Sequence, residues 1–255
     1  MNVPFILLII LLILMTLIGG QRGTKSFFTL LFNFIIMFIF LILIGARLNP
    51  ITVTIVGCII ISFTTLFFIN GVNIKTVSSL ISVAIVVILT MLITYNIGSN
   101  SNIQGFSSEQ VETTAYLSVY VNLDFTKIIV CEILFGLLGA IIDVSISISS
   151  SMNEIYKSDT SITRINLFKS GMSIGKDILG TMTNTLLFAY IGSFMSLIIY
   201  FNELHYSLSQ IFNGKVFCSE IFQSLCGGIG IILIIPITAF ICSKLLFLKL
   251  QPKAK

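Results

Sequence analysis

Seven apolar runs separated by short polar stretches set the pattern of the chain: Val3–Gly19, Phe27–Gly45, Ile51–Asn70, Val77–Gly98, Phe125–Ser151, Leu179–Phe201 and Ser224–Leu248. Each comes close to the roughly 20 residues that a helix needs to cross hydrocarbon. None shows the short alternating segments of a membrane β-barrel. The pattern therefore predicts an all-α polytopic membrane protein with seven transmembrane helices in one membrane domain, 1–255. The first run has no positive segment before it, and Leu17-Ile18-Gly19-Gly20 does not form a small-x-small cleavage site, so it reads as a retained span. Asn49-Pro50 marks a tight turn between the second and third runs.

Three connections are long. Ser99–Asn122 is polar at first and then alternates through Ala115–Val121, as an interfacial segment or a short strand would. Met152–Lys176 is basic, and its centre, Ser161–Lys176, reads as a surface helix capped by Asp159 or Thr160. Asn202–Gln223 offers little pattern. Charge then gives orientation. With the N-terminus outside, all but three of the 14 Lys and Arg fall on inner segments; the exceptions are Arg47, Lys127 and Lys215. The expectation is N-out and C-in, with 152–176 as the cytoplasmic basic loop.

Composition agrees with this class. Only 9% of residues are charged and mean hydropathy is +1.08, against roughly 25% charged in soluble domains. The basic residues lie at helix ends, which suits membrane lipid headgroups and gives no reason to expect nucleic acid. His205 is the only histidine, so neither a Ser-His-Asp triad nor a histidine metal site has material. Cys58, Cys131, Cys218, Cys226 and Cys242 form no CxxC. Gly227-Gly228-Ile229-Gly230 lies inside a span with no Lys after it, and so reads as helix packing. No metal, cofactor or catalytic activity is expected.

The first four runs hold no acidic residue; the candidate chemistry is in the second half. At about 100° per residue, Glu132, Gly136, Gly139, Ser147, Ser150 and Glu154 all fall within about 40° of Asp143 on one helix face. The opposite face is mostly Leu and Ile, with Ser145 and Ser149 as exceptions. This predicts a polar seam toward protein or water and an apolar back toward lipid. On the next helix Ser170, Ser173, Thr181 and Asn184 share a face with Asp177, while Gly175, Gly180 and Gly192 permit close packing. Asp143, Asp177 and Glu132 are candidate proton or cation relay groups, since carboxyls inside a membrane mark functional sites. Depth suggests Thr181 or Asn184 as partners of Asp143, with Asp177 near the inner interface beside Ser150 and Glu154. That separation argues against an aspartyl-protease pair, which must share a proton.

At these residues the sequence resembles a known family. Gly136 through Asp143 to Glu154, Ser170 through Gly175, Asp177, Gly180 and Asn184 to Gly192, and Glu220 through Gly230 and Pro236 to Ala239 look like the signature of the YibE/F-like membrane proteins. Lys176 stands where the family pattern leads one to expect Arg. The length is similar to a YibF-type member, which implies a YibE-type membrane partner and the bacterial cytoplasmic membrane. The layout is also similar to the SecF half of SecDF and other RND-type proteins, which couple proton flow to work outside. Two readings follow: a subunit of a transport or proton-coupled energy-transducing complex, or a non-transporting partner or sensor whose polar face docks another membrane protein.

Overall fold

The computed structural model describes residues 3–100, 124–159, 161–193, 195, 199, 201, 203 and 205–248. Among these the elements are helices only: α1 (Val3–Gly45), α2 (Pro50–Asn70), α3 (Ile74–Asn100), α4 (Phe125–Ser158), α5 (Arg164–Ser193), α6 (Leu208–Asn213) and α7 (Lys215–Leu248). The alternating stretch Ala115–Val121 lies outside the described residues. Among the described residues five helices, α1, α2, α3, α4 and α7, are long and apolar enough to cross a membrane, not the seven expected from the runs.

Two features account for the difference. The first two runs are joined in α1, a stretch of 43 residues made of two helices that meet at Gly20; straight, it would be about 65 Å long, or roughly twice the hydrocarbon thickness. No loop separates them. Gly20 alone leaves helical geometry, at φ 54° and ψ −136°, a region that glycine enters without a Cβ clash. Gly23 consequently abuts the carbonyl of Met15, and Thr24 Oγ1 lies 3.5 Å from Thr16 Oγ1. Residues eight apart in a straight helix would be about 12 Å from each other, so the chain folds back sharply at Gly20. The second feature is the sixth run, Leu179–Phe201: α5 is described only to Ser193, residues 194, 196–198 and 200 lie outside the described residues, and the rest of α5 carries Lys169, Lys176, Asp177 and several hydroxyl and amide side chains.

Local capping explains the other boundaries. Asn49 Oδ1 accepts from the Ile51 N–H at 3.2 Å and Pro50 opens α2, the position where a missing N–H costs nothing. Gly71, at φ 71°, ends α2 and donates its N–H to the Phe67 carbonyl. Asn73 and Thr76 exchange side-chain bonds with each other's backbone N–H at the start of α3. The connection 152–176 is shorter than expected: α4 runs on to Ser158 and α5 begins at Arg164. Its cap is Thr163, whose hydroxyl accepts from the Asn166 N–H at 3.3 Å. Asp159 instead ends α4 and binds the Ser161 N–H and hydroxyl, and Thr160 is outside the described residues. In Asn202–Gln223, Ser207 and Gln210 form a capping box for α6, and α7 starts nine residues before the predicted Ser224.

Helix α4 is the hub, packed against α2, α3, α5 and α7. Ile133, Leu134, Leu137, Ile141, Val144 and Ile148 are fully buried there, against Val83, Val86 and Val87 of α3 and Ile231, Ile234 and Ala239 of α7. Because lipid is as apolar as leucine, small and hydroxyl side chains help hold such helices together. Ser149 Oγ lies 3.2 Å from the hydroxyl of Ser78 and 3.1 Å from that of Ser79. Thr238 of α7 donates to Ser145 Oγ at 3.2 Å, and Ser145 donates to the Ser79 carbonyl. A second polar clasp ties α1 to α2, where Asn33 bonds Thr65 at 2.9 Å and Thr64 at 3.1 Å.

Candidate functional site

The seven-residue stripe on α4 stays on one face, but that face looks away from the core. Glu132, Gly136, Gly139, Asp143, Ser147 and Glu154 are exposed and Ser150 is half-buried. The expectation of an apolar back against lipid is therefore reversed: the Leu and Ile side of α4 is the centre of the bundle. Four helices surround α4, so its apolar side finds protein on every side but one. Ser145 and Ser149, the two exceptions on the wheel, are fully buried and carry the hydrogen bonds to α3 and α7.

Helix α5 repeats the arrangement. Ser173, Asp177, Thr181 and Asn184 are exposed and Ser170 is half-buried. Ser170 and Thr181 turn their hydroxyls onto their own helix, donating to the Asn166 and Ile178 carbonyls. The opposite side packs on α7, where Gly175 presses against Ile235 and Gly171 meets Ala239. Arg164 reinforces that contact with its guanidinium 5.4 Å from the Phe240 ring centre. A methyl placed at Gly139, Gly180 or Gly192 would meet nothing within 4 Å, whereas one at Gly136 would lie 2.5 Å from the Tyr190 hydroxyl. Gly227 is tight against Leu186, as its reading as helix packing expects, and Gly171 is a further close-packing glycine that the polar stripe does not single out.

Two contacts fix the register of the antiparallel pair. Met152 meets Gly171 near the connection, and Gly136 meets Tyr190 at the far end. Interpolated along helices that rise about 1.5 Å per residue, Asp143 is level with Gly180–Thr183, as its proposed neighbours Thr181 and Asn184 require. Asp177 falls level with Ile146–Ser149. It is thus about one helical turn from Asp143 and close to the level of Ser150, with Glu154 further along α4. Among the described residues Asp143 has no hydrogen-bond or ion-pair partner, and no bond joins it to Thr181 or Asn184. Glu154 is different: its carboxylate meets Lys157 Nζ at 3.0 Å.

At the other end, Glu132, Gly136 and Gly139 line an open groove together with Tyr190 of α5 and Glu220 and Gln223 of α7. The second arm of α1 forms the facing wall. Phe40 and Phe135, with ring centres 6.5 Å apart, close over Gly57 beside it. Glu220 and Gln223 belong to the stretch that resembles the family but are not among the expected site residues, because the seventh run starts only at Ser224. Gly214, a helix breaker directly before an apolar stretch, is the signal that would have moved that start to Lys215 and shown Glu220 inside a helix.

Long apolar helices around a shared core, with acidic residues on the surface of two of them, define an α-helical membrane protein. The chain belongs to the YibE/F-like protein family, whose match covers residues 7–247. No curated protein and no solved structure matches it.

Proposed function

We propose that this chain is a subunit of a transport or proton-coupled energy-transducing complex in the bacterial cytoplasmic membrane, N-out and C-in, and that a YibE-type subunit covers the polar faces of α4 and α5. One observation supports the reading: Asp143, at the middle of α4, is exposed on the subunit surface and unpaired among the described residues. A lone acidic residue at mid-bilayer costs on the order of 3 kcal/mol, so this face is stable only against water or another protein. A carboxyl poised between those environments is suited to take up and release a proton. In this reading Asp143 is the carrier, with Thr181 and Asn184 beside it. Asp177 is the inner gate one turn away, and Glu132 connects the carrier to the outer side.

Proton flux into proteoliposomes holding both subunits, read with an entrapped pH-sensitive dye, tests the assignment. Asp143→Asn is expected to cut flux tenfold or more and leave the amount of assembled complex unchanged. Unchanged flux would remove the relay. The second reading, in which the face serves only for docking, is favoured by the same exposure of both polar faces. It predicts instead that Asp143→Asn reduces co-purification of the partner, with no pH dependence in any activity of the complex.

A further inference from the structure

The groove beside α4 has a volume of about 1070 Å3, at the large end of sites that take drug-sized molecules. Its walls are largely apolar, with Phe34, Met37 and Leu41 of α1 facing Phe135 of α4. Its charged groups are all of one sign. Glu132 and Glu220 line it, and no Lys, Arg or His does so among the described residues. Lys127, the cation nearest in sequence to Glu132, is held by Asp124 at 3.0 Å. Gln223 supplies an independent sign of a ligand: it is only 4% exposed, lines the groove, and has no hydrogen-bond partner among the described residues. A buried amide in that position is normally satisfied by a bound group or water.

We propose that this groove binds an amphipathic organic cation, with its charged head between Glu132 and Glu220 near the Tyr190 ring and its apolar body along the α1 wall. Charge complementarity selects this occupant. A lipid tail would satisfy Phe34, Met37 and Leu41 but leave two carboxylates and Gln223 without partners, and an anionic headgroup would be repelled. Tyrosine faces attract cations within about 6 Å, and desolvated walls strengthen both that attraction and the carboxylate one. The proposal shares Glu132 with the relay but does not involve Asp143, and it concerns equilibrium binding that needs neither a proton gradient nor a second subunit.

Isothermal titration of the purified full chain in a neutral detergent tests it, with tetraphenylphosphonium as the probe and tetraphenylborate as the anion of the same shape. Protein-free micelles give the partitioning background. The cation is expected to bind one to one, at least tenfold tighter than the borate. Glu132→Gln combined with Glu220→Gln is expected to weaken it tenfold or more, while Glu203→Gln, an exposed acid outside the groove, leaves it unchanged. Met37→Trp, which fills the groove and keeps both glutamates, is expected to weaken binding as well, and it holds the test open if the double variant does not fold. Equal affinity for the two ions, or full affinity in Met37→Trp or in a folded double variant, would overturn the proposal.

Discussion

Gly175→Val is expected to destabilise the helix bundle by about 2 kcal/mol or more, read as a fall in the thermal midpoint of the detergent-solubilised protein by gel filtration after heating. The cause is local. A side chain at position 175 would run into Ile235 of α7, and Ile235 cannot swing aside because a β-branched residue has one favoured χ1 in a helix. Its neighbour Pro236 already removes one backbone bond from α7, which leaves that helix little spare stability with which to absorb a shift. Ile235→Ala in the same chain should restore a large part of the loss, because it vacates the colliding atoms. Gly180→Val, where an added Cβ meets open space, should stay within about 0.5 kcal/mol of the parent. Equal losses at 175 and 180 would show that α5 does not pack on α7 through this side.

The second large effect separates two serines two positions apart on opposite faces of α4. Ser145→Asp should prevent accumulation of folded protein, at a cost of roughly 4 kcal/mol or more. Ser145 is fully buried and bonded to Thr238 and to the Ser79 carbonyl, so a carboxylate there would face a carbonyl oxygen with no cation at hand. Ser147→Asp adds the same group on the exposed face that already carries Asp143, and the purified subunit should tolerate it. Yield and monodispersity in detergent compare the two directly. A folded Ser145→Asp with a collapsed Ser147→Asp would mean that the faces of α4 are assigned the wrong way round.

That pair also shows what the sequence makes legible and what it hides. The wheel on α4 placed Glu132, Gly136, Gly139, Asp143, Ser147, Ser150 and Glu154 together, because 100° per residue is a property of any α-helix. It could not tell whether the Leu and Ile side meets lipid or protein, since both are hydrocarbon and both tolerate the same residues. Ser145 and Ser149 looked like stray hydroxyls on an apolar side for that reason, yet they carry the hydrogen bonds of the core. The spans α2 and α3 were readable from unbroken apolar runs bounded by Asn49-Pro50 and Gly71. The break between the first two runs is legible in position, at 20–26, but not in form, because a single glycine dihedral at Gly20 takes the place of a loop. The extent of α4 and α5 is not legible for a related reason: a basic segment next to a membrane has the composition of a surface loop, whereas its residues continue two long helices. Glu220 is visible in the family resemblance, but an apolar run that starts at Ser224 does not show it inside a helix at the acidic end of the groove.

The central claim is that the acid-bearing face of α4 is an interface completed by another membrane subunit. Photocrosslinking from a benzophenone side chain at position 147, in native membranes that also contain the YibE-type protein, tests it most directly. The expected result is a covalent adduct joining this chain to that protein. An adduct with lipid alone would contradict the claim, for it would place Asp143 and its neighbours against acyl chains.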